Sequence, residues 1–214
     1  CFSNFGKILM NHYIVSLTGA SCSIYGIRLA EELAKLDNQV TIIFSNNGLK
    51  VAAYELKKSI LNKNFEEMKR VLFNEKFHSL ISIEDNQNIF APCASGTNAA
   101  KGMIVLPCSM GTLSAISQGL SSNLIQRAAD VMLKERKKLI VCTREAPYSL
   151  IHLKNMVSLT EAGGIILPCS PGFYLHPESL DDIVNFMVGK ALDSLGLEHN
   201  VCPKWKQSNE LSNL

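Results

Sequence analysis

Five short apolar runs recur along the chain, at 13–17, 39–44, 102–107, 138–142 and 164–168. They are too short for independent helices, and their near-continuous hydrophobicity suits strands buried on both faces. The segments between them carry helical periodicity. Ile24, Ile27, Leu29, Ala30, Leu33 and Leu36 mark one apolar face, and Leu124, Ala128, Val131 and Met132 mark another. Leu150, Leu153, Met156, Val157 and Leu159 form a third, and Ile183, Phe186, Met187, Lys190, Ala191 and Leu195 a fourth. Strands of this kind alternating with helices predict an α/β protein with a parallel sheet covered on both sides. Such sheets bind ligands at the carboxyl ends of their strands.

Two of those strand ends carry the same chemistry. Met103-Ile104-Val105-Leu106 runs into Pro107-Cys108-Ser109-Met110-Gly111-Thr112, and Tyr13-Ile14-Val15-Ser16-Leu17 runs into Thr18-Gly19-Ala20-Ser21-Cys22-Ser23. A strand that opens a hydroxyl-rich helix start presents free backbone N–H groups and the positive end of a helix dipole, which suits an anion. Tight turns and caps explain Gly and Ser at such junctions equally well. Together the two turns point to a phosphorylated cofactor, a phosphorylated substrate, or both. Arg144-Glu145-Ala146-Pro147 and Pro168-Cys169-Ser170-Pro171-Gly172-Phe173-Tyr174 follow two further runs and belong to the same end of the sheet.

A length of 214 residues, with 47% hydrophobic and 19% charged, fits one domain with a full core. The net charge of +2 gives no case for nucleic acid or a membrane surface. No apolar run is long enough to span a bilayer, and residues 1–12 lack signal-peptide architecture. The expected organisation is an N-terminal extension at 1–12, a ligand-binding domain at 13–198 and a peripheral tail at 199–214, with Met10 a possible start and Trp205 packing on a neighbour. The seven cysteines are odd in number and widely spaced, with no CxxC pair, so Cys108, Cys142 and Cys169 read as core residues of a reduced, cytoplasmic protein. The histidines lack metal-ligand spacing and no metal is expected; His152 and His176 read as structural. Residues 56–101 are less regular: a charged helical face surrounds Leu61, Phe65, Met68 and Leu72, and a polar functional loop covers 85–97.

Several segments, in order from about Tyr13 to about Leu197, resemble the UbiX family of flavin prenyltransferases. They are Thr18-Gly19-Ala20-Ser21, Ala94-Ser95-Gly96-Thr97, Pro107 to Thr112, Asn123 to Val131, Leu133-Lys134-Glu135-Arg136, Arg144-Glu145-Ala146-Pro147 and Pro171-Gly172-Phe173-Tyr174. The resemblance implies a flavodoxin-like (Rossmann-like) doubly wound parallel sheet in three layers. It also implies a homo-oligomer, a dodecamer in the family, with active sites between subunits. The implied reaction is metal-independent transfer of a dimethylallyl group from dimethylallyl phosphate to reduced FMN, and the product serves a UbiD-type decarboxylase in ubiquinone or aromatic-acid metabolism. Gly19, Ala20, Ser21, Ser45, Ser109, Met110, Gly111, Thr112 and Arg144 resemble the family's FMN contacts. Ser95, Arg127, Lys134, Tyr174 and Lys190 resemble its donor-binding residues, and Ser21, Glu55, Glu145 and Lys134 its catalytic positions.

The residues alone also allow plainer roles. Arg127 and Lys134 read as surface charges, Glu55 as a solvated helix residue, Lys190 as a favourable charge in a helix C-terminal half, and Tyr174 as a loop anchor. The chain departs from the family pattern in three places: Cys22 stands where glycine is common, Lys190 where arginine is usual, and Ile89 where an aromatic is frequent. Alternatives on the same scaffold are an FMN-dependent cysteine-type decarboxylase and a non-catalytic FMN-binding protein. The first expects a histidine on the helix after Ser45, which is missing; the second expects no cation set, which is present as Arg127, Lys134, Arg144 and Lys190. A nicotinamide dehydrogenase is disfavoured, because Gly19-Ala20-Ser21-Cys22 is not GxGxxG and no acidic residue ends the second strand.

Overall fold

The computed structural model describes residues 10–203; the first nine residues of the expected extension, and Trp205, lie outside the described residues. Six strands form one sheet: β1 (His12–Leu17), β2 (Gln39–Phe44), β3 (Ile81–Glu84), β4 (Gly102–Cys108), β5 (Lys138–Thr143) and β6 (Ile165–Ile166). Their order is β3-β2-β1-β4-β5-β6, and every neighbouring pair is parallel. The expected flavodoxin-like (Rossmann-like) doubly wound sheet is present with the Rossmann strand order, and its switch point lies between β1 and β4.

Seven α-helices among the described residues flank the sheet: α1 (Ser23–Lys35), α2 (Asn46–Leu56), α3 (Phe65–Leu72), α4 (Met110–Ser117), α5 (Leu124–Lys134), α6 (Leu150–Glu161) and α7 (Leu180–Leu195). Alternate residues of each strand point to opposite faces, so one sheet supports two cores. Tyr13, Val15, Leu17, Ile42, Ile104 and Ile140 pack with α1 and α7. Ile14, Ile43, Met103, Val105, Leu139 and Val141 pack with α4 and α5, and with Leu159 of α6. Gly26 lets α1 approach the switch point closely, since a Cβ there would lie 2.9 Å from Leu17 Cγ.

Four elements differ from the sequence expectation. The irregular region contains the edge strand β3, whose Ser82 is exposed; the run at 164–168 contributes only Ile165 and Ile166 as a strand. In α3 only Met68 is buried, while Phe65 is exposed and Leu61 is exposed outside the helix. The apolar stripe of α6 faces the core only through Met156 and Leu159. Leu150 and Val157 are 66% and 57% exposed and Leu153 is also exposed, whereas Asn155 and Leu159 are buried. Asn155 Oδ1 accepts from Ser117 Oγ of α4 at 3.3 Å, which holds the polar residue inward while Leu150, Leu153 and Val157 point outward. His152 is structural, as expected: its backbone N–H donates to Ser149 Oγ at 3.3 Å, and its Nδ1 accepts from Ser149 N–H at 3.2 Å. His176 is exposed, with a left-handed φ of 50°.

Candidate active site

β1 and β4 lie side by side, but α1 packs on one face of the sheet and α4 on the other. The chain therefore opens a crevice at the carboxyl ends of these two strands. Thr18, buried at the end of β1, ties its walls together. Its N–H and Oγ1 both donate to Pro107 O, at 3.1 and 3.0 Å, and Oγ1 accepts from Ser109 N–H at 2.7 Å.

The two helix starts on this crevice are built differently. Six of the seven described helices begin on a Ser or Asn whose side chain accepts from the third helical N–H: Ser45, Asn64, Ser109, Asn123, Ser149 and Ser179. In α4 the cap is Ser109, which accepts from Thr112 N–H at 3.3 Å. Among the described residues, the N–H groups of Met110 and Gly111 have no hydrogen-bond partner. A Cβ placed on Gly111 would meet nothing within 4 Å. Orphan donors, a helix dipole and open space make this turn fit an anionic group such as a cofactor phosphate.

The exception is α1. Its N-cap is Cys22, with a left-handed φ of 85° and no side-chain cap. Left-handed backbone strains a side chain that has a Cβ, which accounts for a preference for glycine at this position. Glu55 of α2 supplies the missing cap. Its carboxylate accepts from Cys22 N–H at 3.1 Å, Ser23 N–H at 2.9 Å and Ser21 Oγ at 2.5 Å. Burial opposes ionisation of Glu55, but the bonds from Ser21, Ser23 and Cys22 outweigh it and hold the carboxyl below its usual range. The expectation of two equivalent phosphate turns is thereby corrected: at α1 a carboxylate of the same chain occupies the donors of Cys22 and Ser23.

The other predicted residues sort into groups around this crevice and beyond it. Ser45 caps α2 through Gly48 N–H at 3.0 Å. A Cβ on Gly19 would lie 2.8 Å from Asn47 Cβ, which sets the Gly19-Ala20-Ser21 turn against the start of α2. Arg144 N–H donates to Cys108 O at 3.2 Å. Burial pushes the Cys169 thiol up to about 12 and raises that of Cys22, while the Arg144 charge opposes both shifts. Glu145 is exposed and accepts from Ala146 N–H at 3.1 Å.

A second group joins Ser95, Arg127 and Lys134. Arg127 Nε donates to Ala94 O at 3.1 Å, and its guanidinium pairs with Asp130 at 2.9 Å. Lys134 pairs with Glu135, and a Cβ on Gly96 would lie 2.7 Å from Lys134 Nζ. A third group contains Tyr174 and Lys190. Tyr174 meets Phe186 edge-on with ring centroids 5.7 Å apart, and Lys190 Nζ lies 5.9 Å from the Phe186 centroid. Sequence reasoning named Thr18, Asp130, Glu135 and Phe186 only within motifs or a helix face and gave none of them a role at the site. Asp130 and Glu135 carry a weak local signal, being acids three and one residues from their partners.

A doubly wound sheet with an open phosphate turn at its switch point defines a nucleotide-binding α/β protein. The profile of the flavoprotein family matches residues 5–192. The flavin prenyltransferase UbiX of Halalkalibacterium halodurans is 42% identical over 201 residues, covering 92% of this chain and 95% of that protein. The structure of AnUbiX (PadA1) in complex with FMN and dimethylallyl pyrophosphate superposes with a TM-score of 0.81 at 33% identity, covering 94% of this chain and all of that one. A dodecameric FMN-dependent UbiX-like decarboxylase from Escherichia coli gives 0.78 at 34% identity, covering 91% of this chain and 99% of that one. The chain belongs to the UbiX family of flavin prenyltransferases.

Proposed function

We propose that this chain transfers a dimethylallyl group from dimethylallyl phosphate to reduced FMN, and that the prenylated flavin passes to a UbiD-type decarboxylase. The observation that carries this reading is the open α4 turn at the switch point, in a chain 42% identical to a flavin prenyltransferase. Met110 and Gly111 N–H, with Ser109 and Thr112, hold the FMN phosphate; Gly19, Ala20, Ser21, Ser45 and Arg144 complete the flavin site. When bound, the reduced flavin supplies the electron-rich acceptor for the allyl group.

Displacing phosphate from an allylic carbon builds positive charge on carbon and negative charge on the leaving oxygen. Groups already placed at that oxygen stabilise the transition state without reorganising. Lys190 and Tyr174 take the donor phosphate from one side. Ser95, Arg127 and Lys134 take it from the other, with Lys134 exchanging Glu135 for the phosphate. Glu145 delivers a proton to the leaving phosphate oxygen, and Glu55 holds Ser21 Oγ in place at the flavin turn. The second group comes from another subunit of a homo-oligomer, a dodecamer in this reading. The outward stripe of Leu150, Leu153 and Val157 on α6 supports such an assembly, because an exposed apolar face of this size marks a contact surface.

Among the described residues no helix is long and apolar enough to cross a membrane. The free cysteines support a cytoplasmic setting, where thiols stay reduced. The cysteine-type decarboxylase reading is not favoured, since a flavin prenyltransferase matches over nine-tenths of the chain. Anaerobic incubation with reduced FMN and dimethylallyl phosphate, followed by mass spectrometry of the released flavin, tests the proposal. A flavin heavier by one dimethylallyl unit is expected; unmodified flavin after long incubation overturns it.

A further inference from the structure

The chain after α7 turns back along that helix. Gly189 makes the room: a Cβ there would lie 2.5 Å from Cys202 Sγ and 3.1 Å from His199 Cε1. His199 is buried, with only 3% of its side chain exposed. Val201 N–H donates to its Nδ1 at 3.2 Å, which leaves the proton on Nε2. Nε2 donates to Asp193 Oδ1 at 3.3 Å. The other oxygen of Asp193 lies 3.8 Å from Lys190 Nζ. Tyr174, Lys190, Asp193 and His199 line one cavity of about 240 Å³.

We propose that His199 is a positioning residue for Lys190, acting through Asp193, in binding the donor phosphate. The inference rests on the reading of Lys190 and Tyr174 as phosphate-holding residues. A lysine ammonium sits on a flexible four-carbon stem and lacks the fixed fork of a guanidinium, so its neighbours must place it. An exposed carboxylate three residues away does this weakly by itself, because both side chains are free to turn. Asp193 is 48% exposed, but His199 is packed and locked by Val201 N–H. The buried imidazole thus pins one carboxylate oxygen and leaves the other facing Lys190. Its N–H also draws on the charge of Asp193, which lessens repulsion of an arriving phosphate. Lys190 has three donors, and its 3.8 Å ion pair with Asp193 leaves them available to a phosphate oxygen. The buried histidine and the carboxylate between them give this lysine the fixed placement that a guanidinium carries within itself.

The test is calorimetry of dimethylallyl phosphate binding to the assembled protein loaded with oxidised FMN, where no turnover occurs. His199→Phe is expected to weaken donor binding about three- to tenfold, in the range of coupled neighbours, with FMN affinity unchanged. His199→Gln, which keeps an N–H donor, is expected to restore most of the loss. In the Lys190→Ala background, His199→Phe is expected to have almost no further effect. Equal losses in both backgrounds, or no loss in either, overturn the inference. If His199→Phe fails to hold FMN, Asp193→Asn, alone and in the Lys190→Ala background, carries the same cycle. Unchanged donor affinity in Lys190→Ala alone overturns the Lys190 assignment and the inference with it. Prenyl transfer by the unaltered protein, read by mass spectrometry, reports separately on the activity.

Discussion

The starts of α1 and α4 face each other across one crevice, and their sequences are nearly interchangeable as phosphate turns. In the structure they have opposite electrostatic states. At α4 the helix is capped by its own Ser109, and the Met110 and Gly111 N–H groups remain open. At α1 the cap residue is Cys22 in left-handed backbone, and the first donors are closed by a carboxylate from α2. The same local chemistry thus yields one turn with open donors and one internally neutralised turn. What decides between them is a residue more than thirty positions away.

Placing a carboxylate at the open turn should break the contrast with the largest effect. Ser109→Asp keeps a good N-cap, so thermal stability should hold or rise. It also sets a negative charge beside the FMN phosphate, where like-charge juxtaposition costs several kcal/mol. FMN affinity should fall about a hundredfold or more by fluorescence titration. Unchanged FMN binding would remove the phosphate from this turn.

A smaller effect is expected at the closed turn. Glu55→Gln keeps an acceptor but loses the charge at the helix start, and should destabilise the fold by about 1 kcal/mol. In a chain of this size that corresponds to roughly 2–4 °C in melting temperature. The loss should depend on pH with a defined sign. The Glu55 carboxyl sits below its usual value of 4.5 in the folded protein, so its contribution is complete above that pH and fades as pH falls toward the lower folded value. The stability gap between the native protein and Glu55→Gln, measured by urea unfolding, should therefore be constant near neutrality and close on acidification below 4.5. A gap that persists there would mean that the carboxylate charge does not cap α1.

The sheet was legible because its central strands are solidly apolar, and β1, β2, β4 and β5 fall where those runs lie. The edges were not. In β3 the four residues Ile81-Ser82-Ile83-Glu84 are too few and too polar to stand out beside a charged helix, and β6 is two residues long. The α6 stripe was legible as periodicity but not as direction, because a helix face that meets another subunit has the same composition as one that meets a core. The site residues were recoverable through family resemblance, yet their partners were not. Thr18 binds across 89 positions of sequence and His199 acts from a segment that reads as a tail. The first contact depends on which strands the fold sets side by side, and the second on how the chain turns back along α7.

The central claim is that the open α4 turn holds the phosphate of the flavin cofactor on which the proposed chemistry depends. Parallel titration of the same protein with FMN and with riboflavin, which lacks only the phosphate, tests it most directly. The phosphate is met by two unpartnered backbone donors, a helix dipole and the hydroxyls of Ser109 and Thr112. Charge-assisted bonds of that number should favour FMN by about 3 kcal/mol, more than a hundredfold in affinity. Equal affinity for the two flavins would contradict the account.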